Sequence, residues 1–74
     1  MKIKFSRHAR RRMKWRKIEE NEVREAIINP EKLEDTIKGR KNAFKKVEGR
    51  SLKVTYFPEG RDEIPVITTI VKGE

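Results

Sequence analysis

The chain is 74 residues long, has no cysteine, and combines 34% apolar with 43% charged residues at a formal net charge of +8. That length is one domain, residues 1–74, with a small core, and the missing cysteine excludes thiol catalysis, disulfide staples and cysteine-ligated zinc. No apolar run nears the roughly 20 residues of a membrane span, so the expectation is a soluble cytoplasmic protein with no membrane partner.

Charge arrives in blocks: +9 over residues 1–17, −5 over 19–35, +6 over 36–53 and −2 over 54–74. A fold that brought the two basic blocks to one side would present a strongly positive face to a polyanion. Lys, Arg, Glu and Ile are abundant and glutamine is absent, a composition that also suits a thermophile, where ion-pair networks offer a second account of the charge. Such networks need both signs, and residues 1–17 carry only one.

Lys2 to Phe5 alternates polar and apolar and predicts a short first strand. Ser6 stands where a helix N-cap belongs. In the helix that follows, Ala9, Met13 and Arg16 share one stripe, while His8, Arg12 and Trp15 share the next. Glu19, Glu20 and Glu22 suit the positive end of a second helix dipole, Val23, Ala26 and Ile27 form its apolar face, and Pro30 ends it near Ile28. Two helices joined near Lys17 to Glu19 make a helical hairpin.

Beyond Pro30 the pattern is strand. Gly39, Gly49 and Gly60 punctuate segments that alternate or are rich in β-branched residues, giving strands at about 32–38, 41–48, 51–57 and 63–71. Leu52, Val54 and Tyr56 alternate with polar neighbours, so this strand has one buried face, and Pro65 suits the start of an edge strand. The expected fold is α+β: a short N-terminal strand, a two-helix hairpin, then a four-stranded antiparallel β-meander packed on the helices.

Metal-free RNA cleavage needs a base for the 2′-hydroxyl, cations for the phosphorane and an acid for the leaving oxygen. One histidine excludes a two-histidine pair, and the basic blocks contain no carboxylate pair for a metal, so no metal or cofactor is expected. In the second hairpin, a loop of Glu48 to Arg50 sets Lys45 opposite Lys53, and a loop of Gly49 and Arg50 sets Lys46 there. Either register opposes two lysines, which is destabilising unless water or a bound anion separates them. Arg50, Arg40 and Lys41 would extend the same patch.

Alternatives stay open at several positions. His8 reads as an acid or base, as a phosphate donor beside Arg12, or as a pin on the helix start, the last being favoured. Arg12 and Arg16 divide between phosphate contact and a tether to Glu19, Glu22 or Glu25. Trp15 reads as a lid over the core ahead of a base-stacking ring, and Tyr56 as a core ring ahead of a catalytic tyrosine.

The pattern His8-Ala9, Arg12-Met13, Arg16 and Ile18, with Gly49-Arg50-Ser51-Leu52-Lys53-Val54-Thr55-Tyr56 downstream, resembles a small prokaryotic domain family of unassigned function. That family in turn resembles the RelE/ParE toxin superfamily in size and element order. The resemblance implies a toxin of a toxin–antitoxin pair that binds RNA, in association with the ribosome, as a metal-independent endoribonuclease with Arg/Lys/Tyr chemistry. It also implies an acidic antitoxin as protein partner. Joined to the residue reading, it makes His8, Arg50, Lys53 and Tyr56 the candidate catalytic set, with Arg10, Arg11, Arg12, Lys14, Arg16, Arg40, Lys41, Lys45 and Lys46 as candidate nucleic-acid contacts. These are expected to converge on one phosphodiester. The rival expectations are a non-catalytic nucleic-acid or protein interaction module, and a ParE-like gyrase poison.

Overall fold

The alternating segment Lys2–Phe5 forms strand β1 and stops at Ser6, whose side chain caps helix α1 (Arg7–Arg16) in the computed structural model. The described residues are 2–36, 38–58 and 63–72. The Ser6 hydroxyl accepts from the Ala9 amide at 3.0 Å and donates to the Ile67 carbonyl at 2.7 Å. One side chain therefore closes the helix start and ties it to the last strand. Helix α1 ends at Lys17 in left-handed geometry (φ 54°), with its amide donating to the Met13 carbonyl, and α2 (Glu20–Ile28) follows at once. Its start carries a capping box in which Glu22 Oε1 accepts from the Glu19 amide at 2.7 Å.

Strands β2 (Lys32–Asp35), β3 (Lys41–Val47), β4 (Arg50–Tyr56) and β5 (Glu63–Val71) run antiparallel in succession, but the sheet they build is five-stranded and mixed. Its order is β1-β5-β4-β3-β2, with β1 parallel to β5. The expected four-stranded antiparallel sheet is thus corrected. A four-residue strand at the start of the chain gives no sign of its partner, because the partner lies about sixty residues away and parallel pairing leaves no turn signature. β1 also removes β5 from the sheet edge, so Pro65 is internal rather than at an edge. It is tolerated at the end of the β4 ladder, where its carbonyl accepts from the amide of Phe57, one residue beyond β4; two residues on, Thr55 pairs with Thr68 and Tyr56 with Val66, leaving Ile67 as a bulge. β2 stops at Asp35, short of the expected 38; Ile37 lies outside the described residues.

Both helices lie on one face of the sheet. Ala9 and Met13 of α1 and Val23 and Ala26 of α2 are buried against Leu52, Val54 and Val66. Alanines at positions 9, 26 and 43 are fully buried, and their small side chains let helix and sheet backbones approach closely enough for so few apolar residues to fill the interior. Among the described residues no helix is long and apolar enough to cross a membrane.

Candidate nucleic-acid interface

The β3–β4 hairpin decides where the lysines point. Its turn is Glu48-Gly49, with φ of 50° and 82°, the two positive values that a tight hairpin needs to follow the strand twist. Val47 therefore pairs with Arg50, Lys46 with Ser51, Lys45 with Leu52 and Phe44 with Lys53. Both expected lysine pairings are corrected, since the loop ends at Gly49, one residue earlier than either assumed. Leu52 is buried against the helices, so Lys45 shares the helix-facing side while Phe44, Lys46, Ser51 and Lys53 occupy the opposite, open side.

On the helix side, the candidate residues are engaged in holding the fold. The Arg50 guanidinium donates to the carbonyls of Arg16 and Lys17 and to both carboxylate oxygens of Glu22, the latter at 3.2 and 3.1 Å. Arg50 is therefore a tether between the β3–β4 hairpin and α2, a role the sequence reading considered only for Arg12 and Arg16. Lys45 Nζ donates to the Asn29 carbonyl at 3.0 Å, beyond the end of α2. Lys41 Nζ donates to Asp35 at 2.7 Å, and that bond, followed by the carboxylate charge, raises its pKa. Tyr56 is buried, and desolvation raises its pKa against the opposing charge of Lys41. A phenol so placed is kept neutral and turned inward.

The open side carries a different arrangement. Phe44 stands in the middle of β3, with Lys32 directly across on β2 and Lys53 directly across on β4. Lys32 Nζ lies 5.7 Å and Lys72 Nζ 5.3 Å from the Phe44 ring centroid, within the range of cation–π attraction. Lys72 reaches the ring across Ser51, whose amino-acid neighbour in the ladder is Lys72 itself: the Lys72 amide donates to the Ser51 carbonyl at 2.7 Å. Lys46 adds a fourth ammonium two residues along β3. Glu34 is held by Lys32 at 3.3 Å, and Glu31 accepts the Lys46 amide at 3.1 Å.

Helix α1 presents the second cationic surface, on the other side of the sheet. Arg7, Arg10, Arg11, Lys14 and Trp15 line an open groove of about 470 Å³. Trp15 is 66% exposed, so it is no lid over the core. His8 is exposed one turn from Arg11 and Arg12 and makes no hydrogen bond or ion pair among the described residues; the capping duty considered for it belongs to Ser6. Arg12 and Arg16 flank Ile70 and Val71 at the end of β5. Arg10 lies 5.4 Å from the centroid of Phe5, and Arg40 lies 5.1 Å from that of Phe57 with its Nε buried and without a partner among the described residues.

The expected convergence therefore does not occur. His8 sits on the outside of α1, Arg50 is bound to Glu22, Tyr56 faces inward and Lys53 faces away from all three. Among the described residues no three His, Cys, Asp or Glu side chains cluster in a way that could hold a metal. Phe44, Lys32 and Lys72 were missed as site residues. The alternation of β4 was legible, but transferring it to Phe44 required the hairpin register, and Lys72 joins only through β5.

No curated protein and no solved structure matches the chain. Residues 5–72 match the family model described as Domain of unknown function (DUF4258), and the chain belongs to that family.

Proposed function

We propose that the domain binds single-stranded RNA on the open face of its sheet. The observation that carries this reading is Phe44, an aromatic ring in the middle of β3 on the sheet face away from the helices, with Lys32, Lys46, Lys53 and Lys72 around it. An unpaired base stacked on Phe44 is worth about 1–3 kcal/mol. It would displace an exposed lysine–ring contact worth about 0.5–1 kcal/mol, so stacking wins, and the displaced ammonium is then free for a phosphate. A duplex hides its base faces and offers the ring nothing to stack on, which favours single strands. The choice of RNA follows the resemblance to RelE-like toxins in size and element order.

Cleavage is not part of this reading, because the four side chains expected to carry it do not meet. The non-catalytic nucleic-acid module, the rival in the sequence analysis, becomes the leading function. An acidic protein segment such as an antitoxin would meet the same lysines but would not need the ring.

Titration with a fluorescent single-stranded RNA tests this. Phe44→Leu should weaken binding about tenfold or more, and Lys53→Ala should lower the slope of log K against log salt by about 0.7. Affinity and slope unchanged in both variants would rule the open face out. RNA cut by the purified chain, alone or with translating ribosomes, would restore the nuclease reading.

A further inference from the structure

Helix α1 is built against its own stability. Arg7 and Arg10 occupy its first turn, where the dipole disfavours cations, and no acid is there to offset them. Arg7 and Arg11 stand four apart on the exposed surface, as do Arg10 and Lys14, each a like-charge pair that destabilises a helix. From Arg7 to Arg16 there is no acidic residue at all. Yet α1 also keeps a tryptophan 66% exposed at the C-terminal end of this surface, in the same groove as Arg7, Arg11 and Lys14, at the cost of leaving a large apolar ring in water. Two departures from local consistency at one place mark a surface kept for a ligand.

The ligand that answers both is a nucleic-acid strand. Its phosphates would neutralise the paired cations, and an unpaired base would cover the Trp15 ring. Along the helix, Arg7 to Arg11 is a rise of about 6 Å and Arg11 to Lys14 about 4.5 Å, so the cations form a row rather than a point. A folded acidic protein would satisfy the charge but would have no flat ring to lay on the tryptophan.

We infer that the outer face of α1, through Arg7, Arg11, Lys14 and Trp15, is a second site for single-stranded nucleic acid. It shares the ligand class of the reading above and uses none of its residues. Because α1 and the Phe44 face lie on opposite sides of the sheet, in a molecule of principal extents 31 × 23 × 21 Å, one strand segment cannot occupy both at once. The domain therefore holds two segments and bridges them.

Trp15 is the only tryptophan in the chain, which makes its fluorescence a direct report on this site. An eight-nucleotide oligouridylate added to the Phe44→Leu variant should quench that fluorescence, and calorimetry on the unaltered protein should give two oligonucleotides per chain. An Arg11→Ala/Trp15→Ala double variant should bind one. Both positions are exposed, and circular dichroism checks that the helix remains; removal of Arg11 relieves a repulsion within it. Donor- and acceptor-labelled oligonucleotides should show energy transfer with the unaltered protein, falling as oligonucleotide is added in excess, and none with the double variant.

Unquenched Trp15 fluorescence at saturation would overturn the inference. So would one oligonucleotide per chain whose binding is lost in Phe44→Leu and kept in the double variant, and that result leaves the sheet-face reading standing. One oligonucleotide per chain, lost in the double variant and indifferent to Phe44→Leu, would keep the α1 site while removing the sheet-face reading and the bridge.

Discussion

The Arg50 guanidinium lies 3.1 Å from Glu22 Oε2, with side chains 29% and 10% exposed, and the same group donates to the last carbonyls of α1. Glu22 in turn closes the capping box of α2. One ion pair thereby fastens the β3–β4 hairpin to the junction of the two helices, which is why Arg50 is a structural residue.

Arg50→Ala leaves a mostly buried carboxylate and two carbonyls without their donor. A loss of about 2–3 kcal/mol is expected in urea unfolding, with RNA affinity unchanged in the folded protein. Arg50→Lys should recover little of it, because an ammonium cannot span the carboxylate and the carbonyls in one plane. A fully stable Arg50→Ala protein with lost RNA binding would return Arg50 to the site.

Ser6→Ala removes the acceptor of the Ala9 amide and the donor to Ile67 in one change. The expected cost is about 1–2 kcal/mol. Hydrogen exchange should speed up first at the Ala9 and Arg10 amides, and uniform exchange across the molecule would contradict a local cap.

Two backbone positions invite stabilisation. Lys17 and Glu48 hold positive φ (54° and 50°) with side chains that disfavour it. Lys17→Gly and Glu48→Asn should each add about 0.5–1 kcal/mol, read as a raised melting temperature. Thr69 adds a third case, since its hydroxyl is buried without a partner among the described residues; Thr69→Val should gain about 1 kcal/mol by removing that group.

Alkaline stability follows from Tyr56 and Lys41. Burial raises the Tyr56 pKa, and the bond to Asp35 raises that of Lys41. A group whose folded pKa lies above its unfolded value stabilises fully below the unfolded value and loses that contribution as pH climbs through the folded one. Unfolding free energy should therefore hold to roughly pH 9.5 and fall above about pH 10. Tyr56→Phe should fall less steeply, and equal slopes would show that burial of the phenol is not the cause.

Several elements could be read before any coordinates. The cap at Ser6, the stop before Pro30 and the buried row Leu52, Val54, Tyr56 depend on local chemistry, and each stands where its residue type demands. The site was less legible. Lys45, Lys46 and Lys53 look alike in the chain, and a loop from Glu48 that ends at Gly49 instead of Arg50 sends Lys53 beside Phe44 and Lys45 onto the end of α2. A one-residue slip reverses every side chain of a strand, and nothing local excludes the slip except the positive-φ demand of Glu48-Gly49. In the chain Arg12 and Arg16 are the near partners for Glu22, and Arg50 reaches it only because the hairpin docks on the helices.

By itself, then, the sequence determined an α+β domain with a basic opening helix and a small apolar interior, because capping, periodicity and turn chemistry act over a few residues. Tertiary structure alone decided that β1 joins β5, that Arg50 is spent on Glu22, and that Lys46 and Lys53 face away from the basic helix while Lys41, Lys45 and Arg50 do not. Those outcomes depend on strand register and on which layer covers which face, and both are settled by packing between segments far apart in the chain.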